Sequence, residues 1–367
     1  LDFRLLLKRK LEADSIKRVV VRGTNWVGDA VMTIPALREL RRVLPHAHIT
    51  LATRSWAEGL FAEADFIDDL LLYDRRPRDP RAVVRQMRAW RAHRFDLAVL
   101  FQNAFEAALI AAVARVPYRL GYATDGRRAL LTHPLALPAW RSERHEVFYY
   151  LNIIAELEQH LYGASNVMQR EPVFDLKVSA ARQDEAQELL VSAGAQSGLP
   201  LVALCPGSTN SRAKRWPAER YAQLADKLID ESEANVALVG SPDEMDVSLE
   251  VSALMRHQPI MLTGRTNLAQ AVAVLSLADV LITNDTGPAH IAAALNRPTL
   301  VIFGPTDPAT TRPFSSVAEI IRRPPDCAPC MLRDCPIDHR CMTAITPDEV
   351  FTRASSLLKH HHAEVKA

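Results

Sequence analysis

Residues 280–304 read VLITNDTGPAHIAAALNRPTLVIFG. A short apolar run, Val280, Leu281 and Ile282, stops at the polar cluster Thr283-Asn284-Asp285-Thr286-Gly287-Pro288. A helical pattern then runs to Asn296-Arg297-Pro298 and gives way to a second β-rich run at 299–303. Strand, helix and strand in so short a span is the crossover unit of a parallel α/β sheet. Its polar elbow falls where a strand's carboxyl end meets a helix's amino end, the usual ligand position in open α/β sheets. Free backbone N–H groups and the positive helix end favour an anion there.

Upstream, 199–205 reads as a strand, followed by the polar turn Pro206-Gly207-Ser208-Thr209-Asn210-Ser211 and a helix opening near Trp216-Pro217. Arg212, Lys214 and Arg215 stand just ahead of that helix. A hydroxyl-rich, glycine-bearing turn beside a lysine and a helix amino end suits a diphosphate; the plainer reading is a surface loop with incidental cations. Then come a strand at 235–240, a turn Ser241-Pro242-Asp243-Glu244, a helix to Met255, a short strand near Met261 and a helix over 268–277.

The first half shows the same alternation. The strand KRVVVR (17–22) runs into Gly23-Thr24-Asn25-Trp26-Val27-Gly28-Asp29 and then a helix whose apolar positions span 30–40. The spacing is neither the dinucleotide GxGxxG nor a P-loop, so by itself this is a tight turn with Asp29 available as a helix cap. Strands at 49–52, 69–73 and 97–101 alternate with helices at 57–64, 81–93 and 105–114, with loop material at 118–128 and a long helix over 146–161. The repeated order argues a doubly wound sheet in each half. The expected domains are residues 1–170, residues 171–345, and a terminal helix in 346–367. Two glycine-bearing loops then face a central cleft, as suits an enzyme that brings two substrates together.

With 367 residues and 44 basic against 43 acidic side chains, the chain is long enough for two cores and carries no global field for nucleic acid. No apolar run reaches the ~20 residues needed to span a bilayer, and the amino end is too charged for a secretory signal, so a cytoplasmic protein is expected. One local field stands out: Arg75, Arg76, Arg78, Arg81, Arg85, Arg88, Arg91 and Arg94. Those from Arg81 to Arg91 share a helical face, with Val84, Met87 and Trp90 interleaved. This is either a solvated face or a patch for an anionic lipid surface with Trp90 at the interface. Cys327, Cys330, Cys335 and Cys341, with His339 among them, fit a structural zinc or iron–sulfur site, reduced thiols or disulfides. Four thiolates leave no open position for a catalytic metal. Cys205 reads as a core residue.

Three segments together resemble the ADP-heptose:lipopolysaccharide heptosyltransferases of glycosyltransferase family 9, which have the two-Rossmann-domain GT-B architecture. They are 22–29, 205–208 with Ala213-Lys214-Arg215-Trp216-Pro217, and 284–290 running into 292–298. The Trp-Val-Gly-Asp and Ala-Lys-Arg-Trp-Pro wordings are nearest to the branch adding the second inner-core heptose, while 209–212 departs from that pattern. The resemblance implies an inverting transfer from ADP-heptose to a lipid A-linked inner-core acceptor, at the inner face of the inner membrane, with the arginines from Arg75 to Arg94 as the peripheral contact. It implies Asp29 as the base and Lys214 with Ser208 and Thr209 as diphosphate contacts. It further implies Asp285, Thr286, Gly287 and His290 at the donor sugar and phosphate, Glu244 at the ribose, no cofactor beyond the donor, and a terminal helix returning to the first domain. Rival readings are a sugar-nucleotide 2-epimerase of the same fold and a non-catalytic nucleotide-sugar-binding protein.

Overall fold

The computed structural model describes residues 11–74 and 79–365, with side chains through residue 359. Arg75, Arg76 and Arg78, and the first ten residues read above for targeting, lie outside the described residues. The chain divides into two units, Leu1–Phe174 and Asp175–Ala367.

The first unit runs β1 (Arg18–Arg22), α1 (Val27–Met32), α2 (Ile34–Val43), β2 (His48–Arg54), α3 (Glu58–Phe61), β3 (Asp69–Tyr73), α4 (Pro80–His93), β4 (Leu97–Leu100), α5 (Phe105–Val113), β5 (Tyr118–Tyr122), β6 (His133–Leu135) and α6 (Glu146–Tyr162). Its six strands are parallel in the order β3-β2-β1-β4-β5-β6. The second unit runs α7 (Ala180–Ser192), β7 (Leu201–Cys205), α8 (Ala218–Ser232), β8 (Asn235–Leu238), α9 (Met245–Leu254), β9 (Ile260–Met261), α10 (Leu268–Leu277), β10 (Val280–Asn284), α11 (Gly287–Ala294), β11 (Thr299–Phe303), α12 (Pro308–Thr311), β12 (Ala318–Arg322), α13 (Arg340–Thr343) and α14 (Pro347–Val365). Its sheet, β12-β11-β10-β7-β8-β9, has the same topology. In both, the first strand lies beside the fourth, and the chain reverses its direction of winding between them. Central strands such as β4, β7 and β10 are buried along their whole length, as strands covered by helices on both faces must be.

Several elements differ from the sequence expectation. The single helix expected after Asp29 is two, because Pro35 in the first turn of α2 lacks an N–H and starts a new helix. The break is closed locally by Thr33, whose hydroxyl donates to the Ala30 carbonyl at 2.7 Å. Asp29 is not a cap either: Trp26 holds the N-cap position in extended conformation, and Asp29 sits within the first turn of α1. Residues 118–122, read as cationic loop, form β5, and its internal Arg119 is buried with Nε donating to the Leu130 carbonyl at 2.6 Å. Helix α7 shows no apolar stripe in sequence because only Ala186 and Leu190 are buried. Trp90 is 1% exposed, edge-on to Phe95, and not at any interface. Ala82, Gln86 and Trp90 form the buried face of α4, while Arg81, Arg85, Arg88 and Arg91 are exposed.

The terminal helix α14 has its described core contacts in the second unit. Its Val350, Ala354 and Leu358 belong to the second unit's own core with Trp216, Tyr221 and Leu228, and α14 packs along α8. That stripe buries its apolar surface where it lies. No helix among the described residues is long and apolar enough to cross a membrane. A carboxylate at Val350 has no partner in that core, so Val350→Asp is expected to lower stability by about 3 kcal/mol or more. An unchanged urea unfolding midpoint would show that α14 is not part of it.

Candidate functional site

In the second unit the switch point lies between β7 and β10, whose last paired residues are Cys205 and Thr283. Ligands in such sheets bind in the crevice outside these carboxyl ends. Both chains turn away there, and one side chain joins them. Asn284 is fully buried. Its amide Nδ2 donates to the carbonyls of Pro206 at 2.8 Å and Gly207 at 3.2 Å. Its Oδ1 accepts from the Trp216 backbone N–H at 3.0 Å and the Tyr221 hydroxyl at 3.1 Å. The turn after β7, the elbow after β10 and the entry to α8 are thereby fixed to one another.

The elbow's next residue carries the charge. Asp285 is 4% exposed. Its Oδ2 accepts from Lys214 Nζ at 2.8 Å and from the Thr306 hydroxyl at 2.7 Å. Lys214 also donates to the Asp285 carbonyl at 3.2 Å. Lys214 ends a 3-10 turn between β7 and α8, and Thr306 follows β11, so side chains from three strand ends converge on one carboxylate. The sequence reading had Lys214 and Asp285 near the same anion; in the structure they form a direct, largely buried ion pair.

Ser208 is buried and its carbonyl accepts from Arg215 Nε at 3.3 Å, while Thr209 is exposed. Glu244 closes a capping box with Ser241, whose N–H and hydroxyl each donate to its Oε2 at 2.9 Å. The same carboxylate lies over Gly207, where an added Cβ would stand 2.3 Å from Glu244 Oε1. Glycine at 207 is what lets the Glu244 side chain reach the β7 turn. Thr286 occupies the N-cap position of α11 without a side-chain capping bond, Gly287 and Pro288 open the helix, and His290 is buried one turn in. Thr286 Oγ1 lies 3.3 Å from the Asn284 carbonyl and from Thr283 Oγ1. All the donor-side residues named from sequence therefore stand on the β7 and β10 turns, the α9 entry or the first turn of α11.

The first unit has its own crevice between β1 and β4. Arg22 ends β1 and donates from Nε to Gln102 Oε1 at 3.0 Å, just beyond β4. Arg127 is wholly buried with neutral partners: Nε donates to the Tyr122 carbonyl at 2.8 Å, NH2 to Asn103 Oδ1 at 2.8 Å, and NH1 to the Gln102 carbonyl. Asp29 stands in α1, which packs against α6. There it acts electrostatically on Glu146, whose carboxyl is raised above its usual range by burial, is drawn down by Arg141 and is raised again by Asp29. Arg141 pairs with both Glu146 oxygens, at 2.9 and 2.7 Å, and lies 4.2 Å over the Tyr149 ring. The sequence reading missed Glu146, Arg141 and Tyr149; they sit in a loop and helix whose pattern gives no motif. Trp26, 56% exposed, stands one helical turn before Asp29.

The cysteine segment does not gather a metal set. Among the described residues no group of three or more His, Cys, Asp or Glu is placed to hold an ion. All five cysteines are free thiols, with Cys205 and Cys341 buried and Cys327 exposed. Burial pushes the Cys341 thiol up.

The Asn284 amide is the part of this site most open to test. Asn284→Leu takes the partner from two carbonyls and the Trp216 N–H in the interior, at about 1–3 kcal/mol each where no water replaces it, and leaves the Tyr221 hydroxyl only the Cys205 carbonyl at 3.5 Å. A loss of about 3 kcal/mol or more in urea unfolding is expected, with Asn284→Asp no better because it sets carboxylate against carbonyls. A stability loss under about 1 kcal/mol for both would contradict this.

The family model for glycosyltransferase family 9 (heptosyltransferase) matches residues 83–340. The chain is 30% identical over 374 residues to lipopolysaccharide heptosyltransferase 2 of Escherichia coli K12, covering 94% of this chain and 100% of that one. The solved structure of E. coli ADP-heptose lps heptosyltransferase II superposes with a TM-score of 0.78 at 27% identity, over 94% of this chain and 99% of that one. A family 9 glycosyl transferase from Veillonella parvula superposes with a TM-score of 0.81 over 96% of this chain and 99% of that one, at 24% identity, a likeness of fold.

Proposed function

Since the chain belongs to glycosyltransferase family 9, the heptosyltransferases, we propose that it transfers heptose, with inversion, from ADP-L-glycero-D-manno-heptose to the inner-core heptose of a Kdo-lipid A acceptor. This is a step in building the lipopolysaccharide core. The observation that carries the proposal is the Lys214–Asp285 pair at the switch point of the second sheet, in a chain matched over 94% of its length by a relative named for this chemistry.

In this scheme Asp29 takes the proton from the attacking acceptor hydroxyl, and a single displacement needs only one such base. Negative charge builds on the departing ADP as the glycosidic bond breaks. Lys214 is the cation that offsets it, with the Ser208 and Thr209 turn and the first turn of α11 at Thr286 and Gly287 supplying donors to the phosphates. Asp285 keeps Lys214 aimed and, with His290, meets the donor sugar and phosphate. Glu244, held over Gly207, takes the ribose. No further cofactor enters the scheme. The isomerase and binding-only readings have no observation in their favour.

Asp29→Asn keeps the shape and removes the base, so transfer is expected to fall about 100-fold or more while ADP affinity changes less than twofold. Lys214→Met should weaken ADP binding, by about tenfold or more, and slow transfer. Calorimetry with ADP and a heptosyl-transfer assay separate the two effects. Full activity in Asp29→Asn would remove it as the base.

We place the protein at the cytoplasmic face of the inner membrane, held peripherally by its arginine face. Arg81, Arg85, Arg88 and Arg91 on α4, with Arg94 at its end, are exposed, and Arg85 has Asp79 at 3.6 Å. Near an anionic bilayer each such side chain contributes about 1 kcal/mol. Replacing Arg81, Arg85, Arg88 and Arg91 with alanine is expected to release the protein from phosphatidylglycerol vesicles while leaving ADP binding intact. Equal, salt-insensitive vesicle binding by both proteins would remove the membrane role.

A further inference from the structure

The cysteine-rich segment 327–341 has no place in the scheme above, yet it touches both sides of the Lys214–Asp285 pair. On the lysine side it is bonded to the turn that carries Lys214. The Ser211 hydroxyl donates to the carbonyls of Leu332 at 3.3 Å and Arg333 at 3.2 Å. The Ala213 N–H donates to the Arg333 carbonyl at 2.9 Å. Arg212 Nε meets Asp334 Oδ1 at 2.7 Å. His339 Nε2 lies 2.6 Å from the Ala213 carbonyl, one residue from Lys214, and with that carbonyl as acceptor the ring must donate.

On the other side, the Met331 N–H donates to the Pro305 carbonyl at 2.9 Å. The next residue is Thr306, whose hydroxyl meets Asp285 Oδ2. The segment itself is seated in the core by Cys341 and Met342, the latter fully buried. An added Cβ on Gly304 would stand 2.4 Å from Met342 Sδ and 3.2 Å from Cys341 Sγ. One anchored segment is therefore bonded to the residue just before each of the two whose side chains donate to Asp285 Oδ2.

We propose that segment 327–341 is the positioning element of the donor-phosphate site, and that His339 is the positioning residue through which it holds Lys214 in place. The inference rests on the donor site being where ADP binds. A 3-10 turn lacks the ladder of a longer helix, so the lysine's aim depends on what braces the turn from outside. His339 touches neither donor nor acceptor in this account; it acts through the Ala213 carbonyl.

The test compares His339→Ala and His339→Gln with the unaltered full chain. The readouts are ADP affinity by calorimetry, and donor and acceptor KM with kcat in the transfer assay. Loss of one well-placed hydrogen bond and the order it imposes is expected to weaken ADP binding and raise donor KM by about five- to tenfold, with acceptor KM unchanged. Gln, whose amide can also donate, should recover most of the loss. A Ser211→Ala, His339→Ala pair should lose less than the product of the single effects, because both brace one turn. Unchanged ADP affinity in folded His339→Ala would overturn the proposal, as would equal increases in donor and acceptor KM. If the unaltered protein itself does not bind ADP, the donor-site reading fails first, and that outcome is distinct from the brace failing.

Discussion

A primary amide has two donors on one side and an acceptor with two lone pairs on the other, and at Asn284 every one of these is used in the buried interior. No other side chain of that size presents this pattern. Aspartate would set oxygen against two carbonyls, and leucine would take the partner from two carbonyls and an N–H. Because the amide joins the β7 turn to the β10 elbow and to the start of α8, the segments that carry the Lys214–Asp285 pair are held on one frame. Asp285 is its neighbour in sequence, Lys214 lies two residues before the Trp216 N–H it binds, and the Gly207 backbone is held where Glu244 can cross it.

The two units solve the same problem with different chemistry on one topology. In both, the crevice between the first and fourth strands is the place where the sheet has no covering crossover. The second unit fills its margin with a paired lysine and aspartate. The first uses Arg127, a buried cation whose three bonds go to neutral oxygens of Tyr122, Gln102 and Asn103. Burial lowers its pKa, and the nearby negative groups oppose that only in part. A guanidinium so placed fixes the chain after β4 without touching solvent. It also holds Asn103, which donates to the Tyr149 hydroxyl at 2.5 Å, beside the ring on which Arg141 lies.

Much of this was legible in the sequence, for physical reasons. Strands buried on both faces write continuous apolar runs, and the elbows after them write glycine, proline and small polar residues, so 280–304 announced both the fold and the site. The charged residues Lys214, Glu244 and Asp285 sit next to those elbows in sequence, so the reading of the elbows drew attention to them. What escaped had no local signature. Helix α7 buries too few side chains to show a period, and β5 hides an arginine in mid-strand. The interaction of Asp29 with Glu146, and the ties from 331–339 to the Lys214 turn, join segments more than a hundred residues apart. The apolar stripe of the terminal helix says that it packs, but not on what. Trp90 was misjudged for a related reason: its three-residue spacing from Met87 aligned it with the arginines, whereas the buried row runs through Ala82 and Gln86.

The central claim is that this chain moves heptose onto an acceptor instead of merely binding or rearranging the donor. The most direct measurement follows ADP release from ADP-heptose with and without heptosyl-Kdo2-lipid A, alongside detection of the lengthened glycolipid. ADP release that requires the acceptor and matches the glycolipid formed, mole for mole, is the result expected. Donor consumed at the same rate without acceptor, or bound and never consumed in its presence, would contradict the account.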